Sequence, residues 1–227
     1  MSFRQVISKM LYPNTYSSDA YVSYLRKCGV RIGYGTWFAK PKNTSVDVQN
    51  AISVEIGDNA CITDGVIILA HDWSYSVIAC AYKDAPGKQK VTYIGNNVFI
   101  GTHSIILMGT HIGDNVIIGA GSVVSGIIEE NAVYAGNPAK KICSLEEHYK
   151  RLKDYFEDSA YCYLTRQKVR GGIPNLEEMG LYASLFVDKT DENMRKYFSK
   201  SVIPFAIKNV PKKYDSIEEF LKEKEGL

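Results

Sequence analysis

The chain has 227 residues, with 27 Lys and Arg against 25 Asp and Glu for a formal charge of +2, and 45% hydrophobic beside 23% charged residues. So even a balance leaves no electrostatic footprint for nucleic acid or an acidic membrane surface, and no run of 18 apolar residues offers a bilayer span. Five scattered cysteines without a C-x2-C pair read as reduced thiols, and the opening MSFRQVISKMLYP lacks the apolar core of a signal peptide, so a cytoplasmic protein is expected.

Residues 1–29 read as a helical preface. In SSDAYVSYLRKCG, Ser17 or Ser18 caps a helix that carries Tyr21, Tyr24, Leu25 and Cys28 on one face and stops at Gly29. Its expected task is to cover the open end of the repeat region that begins at Val30.

Residues 30–143 are built on a period of six. From residue 94 the chain reads IGNNVF, IGTHSI, ILMGTH, IGDNVI, IGAGSV, VSGIIE, with Ile94, Ile100, Ile106, Ile112, Ile118 and Val124 heading successive sixes. A helix would show a period of 3.6 and a strand a period of two, so an unbroken six implies a short strand and a corner, repeated. Three such faces close one coil of a parallel β-helix, with the heading residue inward. A second inward position (Val98, Ser104, Thr110, Val116, Ser122, Ile128) is small or β-branched. The period is ragged over residues 30–54, where Thr44 and Asn50 fall in the apolar phase, and regular at Ile56, Ile62 and Ile68. It stops across residues 72–93, DWSYSVIACAYKDAPGKQKVTY, whose Pro86-Gly87 turn signal and aromatic content predict an ordered loop thrown out of the coil.

Residues 144–227 form a mainly helical extension. SLEE at residues 144–147 is a capping box, opening a helix with Leu145, Tyr149, Leu152, Tyr155 and Phe156 on one side. Further helices are expected over residues 174–186, over 191–198, and from Asp215 with Ile217, Phe220 and Leu221 apolar.

The IG-x4 run, IGDNVIIGAGSVV and AGNPAKKI (residues 135–142) resemble the hexapeptide-repeat acyltransferases, the last being similar to the exit from the prism in sugar and xenobiotic O-acetyltransferases. The resemblance implies an all-β core in a left-handed parallel β-helix, a homotrimer, and acetyl-coenzyme A lying along the prism between two subunits. It implies backbone contacts to that donor at Thr102 and Ala120, eighteen residues or one coil apart, and a basic contact to its phosphates at Lys140, with Lys141 beside it. Ser125, followed by Gly126, stands where relatives have a Thr-Lys pair and is carried over as a further candidate contact to the donor, and Phe99 stands where many have Trp.

The resemblance also points to His71, which closes the last strand before the loop, as the catalytic residue. An imidazole is largely unprotonated at neutral pH yet basic enough to take the proton of an attacking hydroxyl. Its second nitrogen needs an acceptor, for which Asp72, Asp64 or a backbone carbonyl would serve. Asp64 is also a candidate acceptor-site residue, with Tyr82 and Lys83 on the loop. The implied function is acetyl transfer to a sugar hydroxyl of a surface polysaccharide or a nucleotide- or lipid-linked sugar, without a metal. Alternatives are an amino-sugar N-acetyltransferase, an antibiotic O-acetyltransferase, a non-catalytic scaffold, and a carbonic-anhydrase-like metal site that would add His103 and His111.

Overall fold

In the computed structural model, which describes residues 3–190, 192–193 and 210–226, the sixfold period is a parallel β-helix with three faces. On the first face Ile32, Ile56, Ile94, Ile112 and Ile128 stack in register. On the second, Phe38, Ile62, Ile100, Ile118 and Tyr134 do so, and on the third Val46, Ile68, Ile106 and Val124. All but Val46 and Tyr134 among the second- and third-face residues are at most 1% exposed. This column of branched aliphatics is the core, and its burial is the main driving force for the coil.

The corners explain the letters between the aliphatics. Where the first face turns into the second, Asn59, Asn97, Asn115 and Asn131 have φ of 54° to 57°, a left-handed conformation that Asn tolerates better than other side chains. Their amides form a ladder along the corner, Asn97 donating to Asn115 at 3.1 Å and Asn115 to Asn131 at 3.0 Å. Where the second face turns into the third, Gly65, His103 and Gly121 take that conformation.

The period fails in sequence wherever a corner changes length. Two 3-10 turns, Pro41–Asn43 and Ala51–Ser53, lengthen the first coil to the twenty-four residues between Ile32 and Ile56. Val46 therefore takes the inward place on the third face that strict counting gives to Thr44. The Ser125-Gly126 corner is short, so Ile128 follows Ile112 after sixteen residues. Ile128 heads the first-face column rather than filling the secondary inward position expected for it.

The expected loop leaves the coil as an antiparallel ribbon, His71–Asp72 paired with Lys88–Gln89, and rejoins the first face at Thr92–Ile94. It carries a helix, Tyr75–Tyr82, which its short irregular sequence did not announce.

Two helices precede the coil, α1 (Phe3–Leu11) and α2 (Ser18–Cys28). Ser17 caps α2 by accepting from the Ala20 amide at 3.2 Å, and Gly29 ends it at φ 109°. It covers the first coil: Tyr21 packs edge-on against Phe38 and donates its hydroxyl to the Thr44 carbonyl at 3.0 Å.

The chain divides into two compact units, Met1–His148 and Tyr149–Leu227. Numbering the loop helix α3, helix α4 is Leu145–Arg170, opened by the expected capping box: the Ser144 amide donates to Glu147 and the Glu147 amide to Ser144 Oγ. Of its foreseen apolar stripe, Phe156 packs against the second unit's core and Leu145 is half-buried, but the rest is exposed. Tyr149, Leu152 and Tyr155 are 60%, 54% and 65% exposed, and Ala160 and Leu164 take the buried places instead. They pack in the second unit's own core with Met179, Phe186 and Phe220. Residues 174–186 contain a 3-10 helix, Gly180–Leu185, rather than an α-helix. Helix α5 (Ile217–Glu225) is capped by Ser216, one residue after the expected Asp215. The helix foreseen over residues 191–198 lies outside the described residues apart from Glu192 and Asn193. Among the described residues no helix is long and apolar enough to cross a membrane.

Candidate active site

His71 stands where the third face would turn back to the first, at the root of the ribbon. Its Nδ1 meets Oδ2 of Asp47, whose side chain is only 2% exposed. Asp47 follows Val46 at the same corner one coil below, and its amide donates to the Ile68 carbonyl at 3.0 Å. Its carboxylate also accepts from the Ala70 amide at 2.9 Å and the Asn50 amide at 3.1 Å. Burial pushes the Asp47 carboxyl up, but the Ala70 amide, the His71 ring and the Asn50 amide outweigh it and hold the carboxyl below its ordinary value.

The other ring nitrogen fixes the tautomer. Trp73 Nε1 contacts His71 Nε2, and an indole nitrogen is a donor only. Nε2 therefore carries the lone pair and Nδ1 the proton, which it donates to Asp47. This is the arrangement a general base requires, with the acceptor nitrogen turned outward and the protonated one anchored.

Around the ring lies a cavity of about 370 Å³ lined by Gln49, Asn50, His71, Asp72, Trp73, Tyr75, Gly87, Lys88 and Gln89. Trp73 and Tyr75 stack at 5.8 Å between centroids, giving it an aromatic wall, and the rest of the lining is largely polar.

Neither carboxylate weighed from the sequence orients His71. Asp72 accepts from the amide and hydroxyl of Ser74, at 2.7 and 2.9 Å, and these bonds lower its carboxyl. Asp64 lies at the second-to-third corner, held by Asn43 at 2.8 Å and Lys40 at 3.0 Å, which lower its carboxyl in that order. Asp47 escapes a reading of the sequence because the irregular first coil hides which of its residues lies under His71.

Thr102 and Ala120 stack one coil apart at the second-to-third corner, the Gly121 amide donating to the Thr102 carbonyl at 2.8 Å, and both side chains are exposed. Lys140 joins the top of that corner, paired with Ala135 in the one antiparallel strand of the second face and exposed, while Lys141 is tied to Glu129 at 2.7 Å. Ser125 is elsewhere, at the third-to-first corner above His71. Tyr82 and Lys83 end α3, exposed and outside the cavity wall. His103 is a left-handed corner residue beside Asp64, and His111 lies on the first face with its ring stacked on Tyr93 at 4.6 Å. Within one chain the three imidazoles do not converge.

A family model described as the hexapeptide repeat of succinyl-transferase matches residues 91–125. Protein CapG of Staphylococcus aureus is 38% identical over 128 residues, 56% of this chain and 73% of that protein. The chain belongs to the hexapeptide-repeat acyltransferases. Its coil is thus the left-handed β-helix of that family. The galactoside O-acetyltransferase of Escherichia coli (strain K12) is 34% identical over 122 residues, which span 52% of this chain and 58% of that protein. A solved structure of a maltose O-acetyltransferase from Clostridium difficile 630 is 28% identical, covering 62% of this chain and 84% of that one at a TM-score of 0.43.

Proposed function

We propose that the protein is an acetyl-coenzyme A-dependent O-acetyltransferase acting on a sugar hydroxyl, with His71 as general base. The observation that carries this is the state of the His71 ring: a lone pair on Nε2, a proton on Nδ1 anchored by buried Asp47, and a cavity at its mouth. In the reaction His71 Nε2 takes the acceptor hydroxyl proton as that oxygen bonds to the thioester carbonyl carbon. The carbon–sulfur bond then breaks, and the proton passes from Nε2 to the departing coenzyme A sulfur. Asp47 stabilises the transient imidazolium through Nδ1.

The donor is assigned to the second-to-third corner, where exposed small residues Thr102 and Ala120 leave backbone open to a linear pantetheine arm, and where Lys140 supplies a cation for phosphate. That corner and His71 stand at opposite edges of the third face. A donor laid along it would therefore meet the His71 of a neighbouring copy, which supports a homotrimer with sites between subunits. The galactoside O-acetyltransferase name of the Escherichia coli relative and the polar cavity with an aromatic wall favour a sugar acceptor. A cytoplasmic enzyme serving polysaccharide assembly is the matching biological setting.

His71→Ala is the direct test. Turnover, followed by coenzyme A release, should fall roughly 10²- to 10⁴-fold with an unchanged circular dichroism spectrum; near-normal turnover would discard the base.

A further inference from the structure

The lone pair that should receive the acceptor proton is already occupied. Trp73, two residues along the ribbon, turns its indole N–H onto His71 Nε2, with the two rings edge-on at 5.9 Å. Trp73 is nonetheless 59% exposed, and one of its faces is backed by Tyr75, itself packed over Gly87. A large exposed aromatic on a polar cavity is a costly use of apolar surface for a residue with only a structural task. Its neighbours Lys88, Gln89, Gln49 and Asn50 offer hydrogen-bond partners of the kind a ring bearing several hydroxyls requires.

Resting on the O-acetyltransferase reading, we propose that Trp73 is the acceptor-positioning residue: a pyranose stacks on its indole, and one hydroxyl of that ring displaces the indole N–H from His71 Nε2. The exchange is one donor for another on the same lone pair, so the base keeps its tautomer through it. Until a hydroxyl arrives the indole shields Nε2 from water, which would otherwise be the competing acceptor. The acceptor hydroxyl then loses its proton to Nε2 while its oxygen bonds to the thioester carbon of acetyl-coenzyme A, and coenzyme A leaves with that proton.

The test uses the full chain with a panel of methyl hexopyranosides and methyl N-acetylhexosaminides, read by coenzyme A release. Trp73→Ala should raise the acceptor KM about tenfold or more while the KM for acetyl-coenzyme A stays put. Trp73→Phe, which keeps a stacking ring, should recover most of the lost acceptor affinity. An acceptor KM unmoved by Trp73→Ala, or a donor KM that rises with it, overturns the proposal. A second readout does not need turnover. The chain has two tryptophans, so Trp37→Phe leaves a single indole N–H resonance, which should move in His71→Ala and again on saturation with a sugar that is acetylated. If it ignores His71→Ala, the contact is absent and the proposal falls. If it responds but no sugar in the panel releases coenzyme A, the sugar-acceptor reading is what has failed, and stacking of a pyranose falls with it.

Discussion

Asp47 and His71 are twenty-four residues apart in the chain and joined side chain to side chain in the fold, because one irregular coil separates them and both occupy the same corner. The carboxylate is buried and further held by two backbone amides, so it is a fixed anchor rather than a mobile charge. Asp47→Asn keeps the shape but presents an amide to Nδ1, and when its NH₂ faces the ring it favours the opposite tautomer. We expect kcat to fall roughly 10²-fold, with the KM for acetyl-coenzyme A little changed. A kcat within twofold of wild type would mean that another group orients His71.

The same contact makes a prediction about pH and stability. Asp47 is held below its ordinary carboxyl value of 3.8 in the folded chain. A carboxyl depressed on folding contributes stability that is complete above the unfolded value and disappears as pH falls through the folded one. The stability gap between wild type and Asp47→Asn should therefore shrink as pH falls below about pH 4. Urea unfolding at stepped pH measures it; a gap that widens between about pH 4 and pH 2 would reverse the sign.

Ala120 is exposed at the second-to-third corner, one coil above Thr102. Ala120→Leu should leave folding intact yet obstruct the donor, raising the KM for acetyl-coenzyme A about tenfold or more. If each site joins His71 of one copy to the donor corner of the next, refolding equal amounts of His71→Ala and Ala120→Leu should restore activity to about a quarter of the wild-type sites, as random assortment in a ring allows. Sites contained within one chain would show no recovery, and that outcome would remove the intersubunit assignment.

Ile100 sits in the middle of the second-face column, stacked between Ile62 and Ile118 and fully buried. Truncation to Ala leaves a cavity that stacked coils cannot close without shifting every strand above. The cost should be about 2–5 kcal/mol, visible in denaturant unfolding, whereas truncation of outward-facing Ile127, 80% exposed, should cost under about 0.5 kcal/mol.

The sequence by itself determined the coil. Spacing of six is a local property, and wherever corners kept a constant length it placed the inward residues, stacked Thr102 on Ala120 and marked the loop by its absence. It also determined both ends of α2 and the start of α4, because capping is decided within four residues. What only the tertiary structure decided are the relations between coils of unequal length. Two 3-10 turns in the first coil slide Asp47 beneath His71, and no period in the letters reports a slide. The exposure of Tyr149, Leu152 and Tyr155 was equally hidden, since a stripe states which residues share a side of a helix and not what covers it. Nor could the letters set the indole of Trp73 on the lone pair of His71, because that depends on how the ribbon folds back over its own root.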